Sequence, residues 1–296
     1  MSLASLTRLD LRRLILLLVI STALIMLANS FHASYRVQRQ LLIDSAQEAN
    51  HAYAVKLAES TEDFLRATQQ QLGYSARLLA EHFDNESMLQ AEAQRLRLQT
   101  DSFNSVLITD AQGWVRATSP DTLQIKGQQL KSPGALQALS ERRPLISQPY
   151  TSSSGNLLVF ISHPIVTGSG RYLGYVGGTI YLKQKSILNN LLGEHYHRDG
   201  SYLYVVDQRR QLLYHPDPSR IGTVVGENSV VDAVLRGENG RQRVHNSRGE
   251  DMLAGYAAMP SVGWGMVAQR PAAATLKPMD GLMLGVLRNT LPIAIL

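Results

Sequence analysis

Leu107-Ile-Thr-Asp-Ala-Gln-Gly-Trp-Val-Arg-Ala-Thr-Ser-Pro120 decides how this chain folds, together with the segments that follow it to Leu182. Those segments are Leu145-Ile-Ser-Gln-Pro-Tyr-Thr-Ser-Ser-Ser-Gly155, Val159-Phe-Ile-Ser-His-Pro-Ile165 and Gly174-Tyr-Val-Gly-Gly-Thr-Ile-Tyr-Leu182. Each apolar run is short, rich in Val, Ile, Phe and Tyr, and bounded by Gly, Pro, Ser or Asp. That pattern predicts short antiparallel strands joined by tight turns. In Asp110-Ala-Gln-Gly113 the aspartate can accept from the backbone ahead of it and the glycine can take a positive φ, so a hairpin turn is expected there. Gly168-Ser-Gly170 predicts another. Gly177-Gly178 precedes Thr-Ile-Tyr and reads as strand.

The stretch resembles the membrane-distal half of a double Cache domain, the extracytoplasmic sensor of bacterial chemoreceptors, histidine kinases and diguanylate cyclases. The resemblance rests on TDAQGWVRATSP, on ISQPYTSSSG followed by FISHPI, and on GYVGGTIYL. It is nearest to the sensors that stand in front of diguanylate cyclases (GGDEF proteins).

An internal repeat supports a tandem architecture. Tyr202-Leu-Tyr-Val-Val-Asp-Gln-Arg-Arg-Gln-Leu-Leu-Tyr-His-Pro216 matches the run from Ser105 to Pro120, with Asp207 on Asp110 and Pro216 on Pro120. Gly249 then matches Gly155, and Gly263-Trp-Gly-Met-Val-Ala matches Gly174-Tyr-Val-Gly-Gly-Thr. The period is too long for a solenoid. The fold class expected is α+β: a long N-terminal helix, then two PAS-like (Cache) modules with antiparallel sheets, flanked by one transmembrane helix and the start of a second.

Leu14 to Phe31 carries no charged residue, and Arg8, Arg12 and Arg13 lie on its N-terminal side. Eighteen such positions are near the lower limit for a bilayer span, and the positive-inside rule places residue 1 in the cytoplasm. A cleaved leader is the competing reading; the run is longer than a usual signal core and no Ala-x-Ala site follows. Tyr35 to Phe83 has no Pro and one Gly, and small or apolar residues recur at helical spacing through Leu42, Ala46, Ala49, Tyr53, Leu57, Ser60, Phe64, Ala67, Leu72, Ala76 and Leu79. The resemblance implies that this helix is also the contact of a homodimer; two such helices side by side would bury Tyr53, Leu57 and Phe64, the alternative being a helix packed only on its own domain. Met88 to Leu98 predicts a second helix, Lys183 to Leu192 a third and Ala272 to Leu276 the start of a fourth. The apolar run after Gly281 is read as a second membrane helix that the chain enters without completing, ahead of a cytoplasmic domain.

The expected divisions are a cytoplasmic N-terminus (1–12), a first membrane helix (13–34), the long signalling helix (35–84), a membrane-distal Cache module (85–192), a membrane-proximal one (193–275) and the start of the second membrane helix (280–296). The expectation is an inner-membrane protein with residues about 35–278 in the periplasm.

Function classes narrow quickly. The 296 residues contain no cysteine, which removes thiolate metal sites and disulfides. A net charge of +5, partly in the arginines beside the first apolar run, leaves no nucleic-acid footprint. There is no Gly-x-Ser-x-Gly elbow, no GGDEF string and no cofactor motif, so no catalytic residue is assigned. His195 and His197 stand two apart without a third ligand, and His215 before Pro216 reads as a turn cap.

The candidate site is a pocket of the first module. Tyr150, Phe160, Ser162, Tyr175, Thr179 and Tyr181 can face it by strand alternation, which sets Ile161 and Ile180 on the opposite face. Arg142 and Arg143, just before the strand at Leu145, can attract an anion. In the resembling family, amino-acid binders hold the carboxylate with an Arg-x-aromatic-aromatic cluster and the amine with a late-strand Asp. Here Pro133 falls on the Arg, Ala135 on the first aromatic and Thr179 on the Asp. The expectation is therefore a small ligand that is not an amino acid. The output implied is a missing cytoplasmic diguanylate cyclase; the alternatives are a chemoreceptor or histidine kinase, or an anchored periplasmic binding module without enzymatic output.

Overall fold

The computed structural model describes residues 11–99, 101–193, 199–279, 281–282 and 285. Two compact units are present: residues 47–274, which hold both sheets, and the terminal segments up to Ala46 and from Thr275. His195, His197 and most of 280–296 lie outside the described residues.

Helix α1 (Leu11–Glu81) follows from a sequence with no proline and one interior glycine, Gly73. Residues 11–30 are exposed throughout, and α1 is the one helix among the described residues long and apolar enough to cross a membrane. The break between the first two helices spans residues 82–85. There Asn85 caps α2 (Glu86–Leu98), its side chain accepting from the Met88 N–H at 3.2 Å. Ser75 donates to Glu92 at 2.5 Å and Arg95 donates to the same oxygen at 2.6 Å, tying α2 to α1.

The first sheet contains β1 (Ser105–Asp110), β2 (Val115–Ser119), β3 (Leu145–Ile146), β4 (Tyr150–Thr151), β5 (Leu157–Val166) and β6 (Tyr172–Tyr181) in the order β2-β1-β6-β5-β3, with β4 also on β5. The second contains β7 (Tyr202–Val206), β8 (Leu212–Tyr214), β9 (Gly240–His245), β10 (Asp251–Met259) and β11 (Trp264–Pro271) in the order β8-β7-β11-β10-β9. Every pairing is antiparallel.

The repeat is visible in the turns. Asp110 accepts from the N–H groups of Gln112 and Trp114, and Asp207 accepts from those of Arg209 and Gln211. One match needs correction. Ser105 pairs with Thr179 and Tyr202 with Gln269, so the register puts Trp264, not Gly263, opposite the position of Gly174. Gly174 lies inside β6, whereas Gly263 lies in the turn before β11; matching two glycines by type alone slipped the register by one residue.

Each sheet has two faces with separate cores. One face of both sheets packs on α1, where Leu65, Leu72 and Leu79 meet Val159, Ile161 and Ile180 of the first sheet and Ala54 and Leu57 share a core with Met259, Met266 and Ala268 of the second. The other face carries α3 (Pro133–Glu141) on the first sheet and α5 (Ser229–Leu235) on the second. The expected helix from Lys183 is shorter: α4 (Ile187–Leu192) starts only after Ser186, whose N–H donates to Asn189 at 3.0 Å.

The period expected of α1 holds, but its buried face is turned. Ala49, Ser60 and Ala67 are exposed, while Asn50, Thr61 and Thr68 are buried. Polar residues can occupy the buried face because each is satisfied: Thr61 donates to Leu57 O at 2.7 Å, Thr68 to Phe64 O at 2.8 Å, and Asn50 to Leu253 O at 2.7 Å. Leu57 is 7% exposed and Tyr53 and Phe64 pack on the same core, so the pairing face expected there is used inside the chain.

Where α1 crosses β10 the backbones nearly touch. A Cβ on Gly255 would lie 2.1 Å from the His51 nitrogen. Gly255→Val therefore separates helix from sheet and is expected to destabilise by about 3 kcal/mol. Gly168→Ala, whose Cβ meets nothing within 4 Å, is expected to change stability by less than about 0.5 kcal/mol. Urea unfolding compares the two; equal midpoints would contradict this account of the crossing.

Candidate functional site

The α3 face of the first sheet is only partly covered. Pro133 begins α3 at its first helical position, where the missing N–H costs nothing. Gly134 lets the Tyr150 ring lie against the helix start: a Cβ there would stand 2.7 Å from that ring. Ala135 and Ala138 then pack down on Leu158, Phe160 and Tyr175. Beyond the helix start the sheet stays open, and a cavity of about 410 Å³ remains.

Its floor is Leu107, Leu158 and Phe160. Its rim is polar: Ser132, Tyr150, Thr151 and Ser152 to Ser154 contribute hydroxyls, Gln128 and Gln129 amides, and Lys131 the only charge among the described lining residues. The serine loop is preset, because Ser152 and Ser154 share a hydrogen bond of 2.8 Å and Asn156 N–H donates to Ser152 at 3.2 Å. The Tyr150 hydroxyl is 3.5 Å from that of Ser132, and burial raises its pKa, so it stays a neutral donor and acceptor. Thr179 and Ser105 hydroxyls meet at 2.5 Å at one end of the floor.

Of the residues expected from sequence, Tyr150, Phe160, Thr179 and Tyr181 line this cavity. Ser162 and Tyr175 lie on the same sheet face but are buried further along it; Tyr175 meets Phe160 edge-on at 5.9 Å. Arg142 ends α3 with a positive φ and lays its guanidinium over the Tyr172 ring at 4.7 Å. Arg143 pairs with Glu141. Neither arginine is among the lining residues, because the helix that would carry them to the cavity begins, rather than ends, beside it. Lys131 and the loop Ser152 to Ser154 were not expected. The Ser-Ser-Ser-Gly string after Tyr150 carried the signal, but on its own it reads as a turn.

The model of the Cache domain family (dCache_1) matches residues 34–279. No curated protein sequence matches. Among solved structures, an extracellular ligand binding receptor from Desulfohalobium retbaense aligns with TM-score 0.58 at 13% identity, over 73% of this chain and 39% of its own length. The ligand-binding domain of the Pseudomonas fluorescens chemoreceptor CtaA in complex with L-isoleucine aligns with TM-score 0.59 at 16% identity, over 81% of this chain and 98% of that one. The extracellular domain of the putative histidine kinase mmHK1S-Z2 gives TM-score 0.56 at 14% identity, over 80% and 99%.

One expectation is overturned here. The structures of this fold include complexes with asparagine, serine, leucine, GABA and arginine besides isoleucine, so the argument against an amino-acid ligand fails. It rested on Pro133, Ala135 and Thr179 standing at three motif positions. Pro133, Ala135 and Thr179 do line the cavity, but its cation is Lys131, two residues before Pro133. Hydroxyls and backbone groups also hold a zwitterion's two ends, so three substitutions do not remove the capacity.

The floor and the rim separate by mutation. Phe160→Ala is expected to destabilise by about 3–5 kcal/mol, since it empties the core beneath the cavity. Lys131→Gln, at an exposed rim position, is expected to change stability by less than about 0.5 kcal/mol. Chemical denaturation measures both; a Lys131→Gln loss as large as the Phe160→Ala loss would make the lysine structural.

Proposed function

The chain belongs to the Cache family, the extracytoplasmic sensor modules of signalling receptors, and from that premise we propose that it senses a small carboxylate-bearing molecule, amino acids included, in the cavity of its first module. One observation carries the reading: a 410 Å³ space, apolar below and hydroxyl-lined above, with a single lysine and no Asp or Glu among its described lining residues. That volume lies within the range of small-molecule sites. A lone ammonium at the rim favours one negative charge on the ligand. The hydroxyls of Tyr150 and of Ser152 to Ser154 can accept from a ligand ammonium or donate to a second oxygen.

The parent protein proposed is an inner-membrane signalling protein. Residues 13–34 would cross the membrane and residues about 35–278 lie in the periplasm, with the signalling helix at 35–84 and the two modules at 85–192 and 193–275. Its output is proposed to be a cytoplasmic diguanylate cyclase, on the resemblance of the TDAQGWVRATSP and GYVGGTIYL stretches to sensors of that class. A chemoreceptor or histidine kinase output is the second reading, favoured by the nature of the matching structures. The coding sequence after Leu296 distinguishes them: a Gly-Gly-Asp/Glu-Glu-Phe string supports the first, a methyl-accepting or kinase domain the second.

Thermal unfolding of the full chain in detergent micelles, against a panel of the common amino acids and short mono- and dicarboxylates, tests the ligand. A true ligand at a hundredfold excess over Kd stabilises by about 2.7 kcal/mol, and Lys131→Gln is expected to remove most of that gain. A panel with no stabilising member would sink the reading.

A further inference from the structure

The second sheet presents a pocket at the place where the first presents its cavity. Ser105 and Thr179 are paired neighbours lining the first; Tyr202 and Gln269, which occupy the same ladder positions of the second sheet, line the other. Two further lining residues are His215, the buried residue before Pro216, and Arg220, at the end of the following turn.

The hydrogen bonding of this pocket is incomplete in a specific sense. His215 Nδ1 accepts from the Asp217 N–H at 3.0 Å, which requires that nitrogen to be unprotonated. Burial, with the Arg220 charge next in effect, pushes the imidazole down to about 4, so at neutral pH it is uncharged. Its single N–H therefore sits on Nε2. Nε2 stands 3.3 Å from Nη1 of Arg220, which also has only protons to offer. In that tautomer two donors stand within 3.3 Å of each other in the pocket lining. Arg220 makes no ion pair among the described residues. Gln269 is 1% exposed, and its Oε1 has no hydrogen-bond partner among them. An amide can present either its oxygen or its NH₂ to such a space. Arg248 adds a more distant positive charge and Asp217 a negative one, the latter engaged with Ser219 at 2.6 Å.

We propose that the second module carries its own ligand site, in which a small monocarboxylate is held between Arg220, the Nε2–H of His215 and the amide of Gln269. A carboxylate supplies the acceptors that the two opposed donors lack, and a planar guanidinium suits it. The space is about 30 Å³. A site needs roughly 10–15 Å³ on this measure for one water, which limits the occupant to about the size of formate or acetate. The rings of Tyr202 and Tyr204 line the remainder of the pocket. This site does not depend on the ligand proposed for the first module.

The test uses the full chain in detergent micelles, with histidines labelled at Cε1 and His215 assigned by its loss in His215→Gln. Sodium formate and sodium acetate are titrated at pH 7 against sodium chloride at constant ionic strength. The expected result is a saturable movement of the His215 resonance with formate or acetate and none with chloride. Affinity is expected to fall at least about tenfold in Arg220→Gln and in Gln269→Leu, and to be unchanged in Lys131→Gln. Arg220 is partly exposed, so Arg220→Gln is expected to keep the native circular dichroism spectrum; should it not, Gln269→Leu alone decides. An immobile His215 resonance, an equal response to chloride, affinity retained in the folded variants, or affinity lost in Lys131→Gln would each overturn the proposal. A failure here leaves the first-module reading intact, because Lys131→Gln and the amino-acid panel report on that site separately.

Discussion

One face of α1 must serve two sheets at once. The helix contributes to a core that runs without interruption from Val159 and Ile180 in the first module to Met266 and Ala268 in the second. One helix face can meet two sheets only where side chains are short enough at the crossings, hence Ala54, Ala58 and Ala76 on the helix and Gly255 and Ala257 on β10. Asn50 fixes the depth of one crossing by bonding to Leu253 O. Further along, Glu62 accepts from both the N–H and the hydroxyl of Ser261 in the turn before β11. Removing this shared face would leave both sheets with an uncovered apolar side, so neither module is independent of the helix.

Much of this architecture is written locally. The strands were legible because β-branched and aromatic runs alternate with Asp-x-x-Gly or Ser-Gly turns, and the repeat because both hairpins need the same aspartate, Asp110 and Asp207, to hold their turns. The rotation of α1 was not legible. Buried Thr61 and Thr68 satisfy themselves on their own helix, and buried Asn50 on a strand two hundred residues away, so a reading that equates polar with exposed turns the stripe by one position. The half-site was legible for a similar reason. Tyr150, Phe160, Thr179 and Tyr181 follow from strand alternation, whereas Lys131 and the serine loop depend on where α3 begins relative to the sheet, which no local pattern encodes.

The two sheets also show how one scaffold sets the size of a pocket. Leu107 in the first corresponds to Tyr204 in the second, and Ser105 to Tyr202. Small side chains at the start of β1 and near the end of β6, Ser105 and Thr179, leave room above the first sheet. Aromatic rings at the start of β7 fill the same volume above the second, and the bonding capacity that remains is concentrated in Gln269, His215 and Arg220. Pocket size here is a matter of which residues stand at three ladder positions rather than of a different fold.

Both pockets share a further property with mechanical content. Thr179 faces the cavity while Ile180, its neighbour on β6, packs in the α1 core; Gln269 faces the second pocket while Ala268 packs in the same core. Side chains on opposite faces of one strand are joined by rigid backbone, and the core around α1 is close-packed. A ligand that draws β6 or β11 toward its own face therefore has to change the contacts of that strand with α1. The size of that effect is set by the ligand's preference for one arrangement over the other, not by how tightly it binds. Occupants of the two sites would then bias one helix in common, and if they favour the same arrangement each must raise the affinity for the other by an equal factor.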